Sequence, residues 1–360
     1  MPDLLDVNEA IRQILGVIPR LPAEDVPLPD ALGRVLAADI VADVALPPFA
    51  NASMDGFAVR AADVAAASQE RPVRLPVTLD IPAGAAPPRA LGAGEAARIM
   101  TGAPLPPGAD AVVPVEATDA SWGTGEDRPP DAVAITRRVE PGDYVRPVGE
   151  DIQTGQVIMR AGDLVHPPAI GVLAALGRAT VPVIRQPRVA ILSSGDELVE
   201  IDQPLTPGKI RNSNSYVLEA LVRQHGGRPV RIPTARDTLD DVRRAFGEAL
   251  DSRPDMIISS AGVSVGAHDV VRTVLDELGE VRLWRINLRP GKPLVFGRLE
   301  GVPFFGLPGN PVSVQVTFDV IVRPALLKLA GRPDAVPMAE AVLAEDIPAD
   351  GRLTYFRVRL

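Results

Sequence analysis

The sequence has 360 residues, 46% of them hydrophobic and 23% charged, with a formal net charge of −9. That length exceeds one ordinary core, so two or more domains are expected, and no run of about 18 apolar residues offers a membrane span. Zero cysteines exclude disulfides and thiolate chemistry, three histidines (His166, His225, His268) leave no histidine-cluster zinc site, and the acidity argues against a nucleic-acid partner held by phosphate contacts.

The first residues, MPDLLDVNEAIRQ, carry acids where a signal peptide needs a basic region, so a cytoplasmic location is expected. Asp6 to Glu9 has the spacing of a capping box, and Val7, Ile11, Ile14, Leu15 and Ile18 fall on one helical face. A proline-rich link, Pro19 to Pro29, leads to a second helical stretch expected at Ala31 to Ala38. The Asp55-Gly56 pair between apolar segments reads as a turn. Short alternating stretches at Val73 to Leu79, Val112 to Val115 and Val133 to Thr136 suggest a small β-barrel-like module. Asp119 to Asp131, rich in Gly and Pro, reads as a mobile loop. Glu150-Asp151 reads as a solvated acidic turn, and Ala169 to Gly177 as a short apolar helix.

From Arg188 onward, strands and helices alternate. Strands are expected at Val189–Ser193, Pro229–Pro233, Asp255–Ser260 and Val302–Gly306. Helices are expected near Ser215–Gln224, Leu239–Leu250, Asp269–Leu278 and Val312–Leu329, which predicts a doubly wound, mostly parallel sheet. Three polar glycine turns then fall at carboxyl ends of strands, where open α/β sheets bind ligands. They are Ser193-Ser-Gly-Asp-Glu-Leu198, the stretch from Ser259 to Asp269, and Leu307-Pro-Gly-Asn-Pro-Val-Ser313. In the second, Gly262 and Gly266 lie among the hydroxyls of Ser259, Ser260 and Ser264 and open a helix, an arrangement suited to an anion. Neither a GxGxxG fingerprint nor a GxxxxGK[ST] loop occurs, which disfavours nicotinamide and P-loop readings. Arg285, Arg289 and Lys292 form a cationic cluster, and a continuous strand would place Arg285, Asn287 and Arg289 on one face.

In this order, the three turns resemble the molybdopterin molybdenumtransferase family, which includes MoeA and the E domain of gephyrin. Met100 to Asp110 (MTGAPLPPGAD) and Val145 to Asp151 (VRPVGED) are similar to further family segments. Asn51 to Ala58 resembles the family's NSAMDGYA, with Ala52-Ser53 reversed and Phe57 in place of tyrosine. Ala261 stands where the family has a second glycine, Ala267 where glutamate is frequent, and Arg285 and Arg289 where many members have lysine. The resemblance implies a discontinuous N-terminal dimerisation domain (1–48 and 139–178) and a β-rich lid (49–138). It also implies a molybdopterin-binding α/β domain (179–330) and an incomplete C-terminal β-barrel domain (331–360), because family members continue for several more strands. Tyr355 to Leu360 alternates like a strand with nothing following to pair with it on one side, and the residues after Ala335 are expected to be poorly ordered or covered by a partner.

The implied reaction joins adenylylated molybdopterin and molybdate to give molybdenum cofactor and AMP, helped by Mg²⁺. Its catalytic acids map to Asp55, Asp151, Glu197, Asp237 and Asp269, of which Glu197, Asp237 and Asp269 suit a hard cation. Substrate contacts map to Thr101, Ser259, Ser260, Gly262, Ser264, Gly266, Arg285, Arg289, Lys292, Asn310, Ser313 and Arg357. The pterin's own dithiolene supplies soft sulfur ligands for molybdenum, so a chain without cysteine suffices. A homodimer and contact with the molybdopterin adenylyltransferase complete the expected partners. Two alternatives stay open: a non-catalytic scaffold or degenerate paralogue binding a protein partner, and another nucleotide- or pterin-phosphate hydrolase.

Overall fold

The computed structural model describes residues 4–120, 128–260 and 270–334, with short stretches at 339–342, 344–345, 347, 351 and 353–356. The chain divides into two compact units. One contains residues 1–38, 161–171 and 179–360, and the other 39–160 and 172–178. This division is coarser than the four parts expected from sequence.

The first unit is built on a six-stranded sheet in the order Arg228–Arg231, Arg188–Ser193, Met256–Ser260, Val302–Leu307, Pro293–Leu299, Gly279–Arg285. Contacts among the first four strands are parallel, and the last two strands extend the sheet antiparallel. Met256–Ser260 is buried at every position, as a strand covered on both faces requires. Alternate side chains feed two cores. Val189, Ile191, Met256, Ile258 and Phe305 face the helices Val7–Val17 and Ser213–Gln224. Ala190, Leu192, Ile257 and Phe304 face Leu239–Asp251 and Val270–Leu278. Helices on both faces give the expected doubly wound layering. The sheet itself is mixed.

The N-terminal helix is capped by Asp6, whose carboxylate accepts from the amides of Asn8 (2.9 Å) and Glu9 (3.1 Å). The helix expected at Ala31 to Ala38 does not form. Only a 3-10 turn, Leu28–Ala31, is present, and Val35 and Leu36 bridge to Leu164 and Val183 instead. Backbone pairing with distant segments outweighs local helix propensity there. The single helix expected at Val312–Leu329 is two, Pro311–Thr317 and Arg323–Leu329, joined by a π turn at Phe318–Val322. Pro324 lacks the N–H that a continuous helix would give to Val320, so the ladder shifts register.

The second unit holds a five-stranded sheet ordered Ala111–Pro114, Gly56–Val59, Ala96–Ile99, Val73–Ile81, Ala132–Ile135. It curls as a half-barrel. The segment after the first edge strand returns to the last, with Thr118 bridging Ile135 and the Asp119 amide donating to the Ala134 carbonyl at 3.1 Å. Both sheet faces are buried, with Phe57 and Val113 in one core and Ala58 and Val112 in the other. Of the loop expected at Asp119 to Asp131, residues 121–127 lie outside the described residues. Among the described residues, no helix is long and apolar enough to cross a membrane.

Candidate functional site

The carboxyl ends of the parallel strands in the first unit gather the acids. Pairing between Arg188–Ser193 and Arg228–Arg231 is carried further by the bridge between Ser194 and Ala235. Beyond it the two chains part at Gly195 and Arg236, and the side chains of Asp196 and Asp237 cross. The Asp196 amide donates to the Asp237 carboxylate at 3.4 Å, and the Asp237 amide donates to the Asp196 carboxylate at 3.2 Å. Glu197 follows directly. Gly195 has φ +153, and a Cβ there would meet the Glu197 carboxylate at 2.7 Å, so a side chain at 195 would displace that acid.

Asp237 titrates above its ordinary value of 3.8. Desolvation is the largest cause; the negative charges of Asp196 and Glu197 add to it, against a lowering hydrogen bond from the Asp196 amide. The three carboxyls gather negative charge at one end of the sheet, with the Lys209 ammonium held nearby on the Asp196 carbonyl.

Further along the sheet edge, Ser193 and Ser260 share a buried hydroxyl–hydroxyl hydrogen bond of 2.8 Å, and Ser259 is buried beside them. Asn310 caps the helix Pro311–Thr317, accepting from Val312 (3.0 Å) and Ser313 (3.4 Å). Its carbonyl oxygen is thus committed to the helix end, where the cap leaves Ser313 in the first turn. Gly262, Ser264, Gly266, Asp269 and Arg357 lie outside the described residues.

The cationic cluster departs from the expected geometry. Regular pairing stops at Arg285 opposite Pro293. The chain then loops, closed by the Ile286 amide on the Lys292 carbonyl at 2.9 Å. Leu5 is wedged between, donating to the Arg285 carbonyl and accepting from the Asn287 amide, each at 2.8 Å. Arg285 and Arg289 therefore do not lie along one continuous strand: the sheet strand ends at Arg285, the chain bends at Asn287, and Leu288–Arg289 enters a separate pairing. Gly291 has φ +117, and a Cβ there would strike the buried Thr317 hydroxyl at 2.5 Å, so the turn requires glycine. Leu288–Arg289 pairs in parallel with Leu353–Thr354, and the Tyr355 amide reaches the Arg289 carbonyl at 2.8 Å. The start of the tail thus pairs with Leu288–Arg289; Arg357 to Leu360 lie outside the described residues.

In the second unit, Asp55 and Thr101 meet. One Asp55 carboxylate oxygen accepts from both the amide and the hydroxyl of Thr101, each at 2.7 Å. Arg146 forks between Glu150 (2.7 Å) and Asp151 (2.6 Å), which raise its pKa in that order. Sequence reasoning named Asp55, Thr101, Arg146 and Asp151 without pairing the first two. It missed Asp196 and Ser193 as partners of named residues, although both stand inside the quoted SSGDEL turn.

The chain matches two family models. Residues 5–177 match the MoeA N-terminal region (domain I and II), and residues 190–328 match a probable molybdopterin binding domain. Molybdopterin molybdenumtransferase 2 of Mycobacterium tuberculosis (strain ATCC 25618 / H37Rv) is 43% identical over 342 residues, covering 92% of this chain and 82% of that protein. The molybdopterin molybdenumtransferase of Bacillus subtilis (strain 168) is 39% identical over 355 residues, covering 98% and 81%. Among solved structures, a molybdopterin biosynthesis moeA protein from Pyrococcus horikoshii OT3 superposes with a TM-score of 0.77 at 31% identity, covering 96% of this chain and 85% of that one.

Proposed function

Because this chain belongs to the molybdopterin molybdenumtransferase family, we propose that it inserts molybdate into adenylylated molybdopterin with release of AMP. Its role lies in molybdenum cofactor biosynthesis, as a transferase. The observation that carries the detailed reading is the mutual hold of Asp196 and Asp237 beside Glu197 at the end of the parallel strands.

Those acids fit Mg²⁺. Their donors are hard carboxylate oxygens, and the raised pKa of Asp237 marks a place where a cation is favoured. Among the described residues no group of three or more acids or histidines is closed enough to hold an ion by itself. Glu197 and Asp237 would share it with Asp269, water and substrate phosphate. When bound, such an ion would supply charge neutralisation at the substrate phosphate. The chain's own part is positional. Asp196 fixes the orientation of Asp237, and Ser259 and Ser260 would contribute to holding the pterin phosphate. Arg285, Arg289 and Lys292 hold anions, and Asp55 is oriented by Thr101.

The cytoplasmic location, the homodimer and the adenylyltransferase contact belong to the same proposal; light scattering tests the dimer. The scaffold alternative is not favoured, since the relatives carry transferase names. The test is AMP release from adenylylated molybdopterin with and without molybdate and Mg²⁺. Release that ignores both additions would overturn the reading.

A further inference from the structure

At the amino ends of the parallel strands, the edge opposite the acids, the first unit gathers arginines. Arg185 precedes the strand Arg188–Ser193, Arg20 and Arg34 stand before and after the strand Ala23–Pro27, and Arg332 follows the helix Arg323–Leu329. Arg34, Arg185 and Arg332 line one notch together with Gln186 and Gly226. A Cβ on Gly226 would meet an Arg332 guanidinium nitrogen at 2.5 Å, and one on Gly331 would meet the Arg20 Nε at 2.8 Å. Both glycines have positive φ (+83 and +68) and follow the ends of the helices Ser213–Gln224 and Arg323–Leu329, so two guanidiniums lie over bare backbone. Two of the four cations are answered by carboxylates. Arg34, its side chain 14% exposed, pairs with Glu24 and donates to the Ile184 carbonyl at 2.8 Å. Arg185 donates to Asp255 at 2.9 Å and feels the charge of Glu24. Among the described residues, the Arg20 and Arg332 side chains have neither a carboxylate within salt-bridge distance nor a hydrogen bond. The two helix ends supply at most about half a negative charge each, which leaves the notch positive on a chain of formal charge −9. Arg323 is answered by Asp334 at 2.7 Å, and half-buried Asp319 feels His225 and Arg323.

We propose that this notch binds a compact tetrahedral dianion of the phosphate type, with one oxygen seated between Arg332 and Arg185 and Arg20 closing over the rest. The notch holds about 10 Å³, the space of one water, so it takes an oxygen atom and no ring. Guanidiniums recognise such oxygens through paired, fixed donors. The glycine contacts already place Arg20 and Arg332, which lowers the ordering cost of binding. A bound anion ties together the N-terminal segment, the entry to the central sheet and the end of the last helix. It therefore stabilises the fold and takes no part in the reaction, whose acids lie at the other end of the strands. His225 reports its arrival. The imidazole stacks on Phe318, with ring centroids 6.0 Å apart. Burial lowers its pKa most, Arg323 and then Arg332 lower it further, and Asp319 and Asp334 oppose them.

Proton NMR of the full chain, at constant ionic strength and without Mg²⁺, tests this with inorganic phosphate and phenyl phosphate as probes. His225→Asn identifies the His225 signal among those of the three histidines. Phosphate should raise the His225 pKa saturably, because a dianion on Arg332 offsets the charge that holds it down, and chloride should not. Arg332→Gln and Arg20→Gln should each weaken phosphate about tenfold, with melting curves confirming the fold of each variant. Arg20→Gln changes an exposed side chain and serves if the Arg332 variant is unfolded. Tighter binding of phosphate than of phenyl phosphate assigns the site to the free anion, and the reverse order assigns it to the head of a monoester; both support the notch. A shift of His225 that chloride reproduces, or phosphate affinity unchanged in the folded arginine variants, overturns it.

Discussion

Asp196 and Asp237, forty-one residues apart, each donate a backbone amide to the other's carboxylate across the end of two parallel strands. Two like charges are thereby held close, and Asp237 has a raised pKa through desolvation first and the charges of Asp196 and Glu197 second. Such a conflict is sustained where a cation compensates it in the working state.

The sign of that conflict gives the first prediction. Asp237 has a raised folded-state pKa, so its favourable contribution is present below its ordinary value of 3.8 and is lost as pH rises through the raised value. Asp237→Asn keeps an acceptor for the Asp196 amide and removes the charge. At neutral pH it should be no less stable than wild type, with a gain of at most about 1 kcal/mol. Turnover should fall by about 100-fold. Denaturant titrations at pH 4 and pH 7 alongside kinetics check both halves; a variant that is destabilised at pH 7 and fully active would contradict them.

Asp55 carries a second prediction. Its oxygen accepts from the Thr101 hydroxyl and amide. Thr101→Val removes only the hydroxyl, and the lost bond to a charged group should lower kcat/KM about tenfold. Thr101→Ser should restore most of the rate. Since both residues are exposed, the melting temperature should hardly move. Equal rates in the valine and serine variants would mean that Asp55 needs no such orientation.

The Arg289–Lys292 turn yields a third. Gly291→Ala forces a Cβ against the Thr317 hydroxyl at a positive φ, so the turn must shift. We expect a stability loss of about 1–3 kcal/mol and a raised KM for substrate. Denaturation and steady-state kinetics read the two effects. If KM is unchanged while stability falls, Arg289 and Lys292 do not hold substrate anions.

Metal removal provides a fourth. Exhaustive chelation should abolish AMP release, and Mg²⁺ should restore it, while the melting temperature changes little because no group of three or more acids or histidines among the described residues holds an ion on its own. Full-rate release by chelated protein would remove Glu197 and Asp237 from the metal.

The central sheet was legible because its parallel strands are short apolar runs ending in glycine turns; the expected and observed bounds of Met256–Ser260 differ by one residue. The antiparallel strands Gly279–Arg285 and Pro293–Leu299 were not anticipated. They flank an Arg/Lys cluster that invites a ligand reading before a structural one. The face assigned to Arg285, Asn287 and Arg289 failed for a related reason. Strand periodicity does not show where a strand stops, and here the regular pairing ends at Arg285 while Ile286 bridges to Leu5 from the other end of the chain. Glu197 and Asp237 could be named from motifs. Their tie through Asp196 arises from the register of the two parallel strands and has no local signature.

The most direct measurement is a single-turnover reaction of the purified chain with adenylylated molybdopterin, molybdate and Mg²⁺, following AMP and pterin-bound molybdenum together. The account predicts that one molybdenum is incorporated for each AMP released, and that both products fall in parallel in Asp237→Asn. AMP released at the same rate without molybdate, with no molybdenum on the pterin, would contradict it and point to a hydrolase.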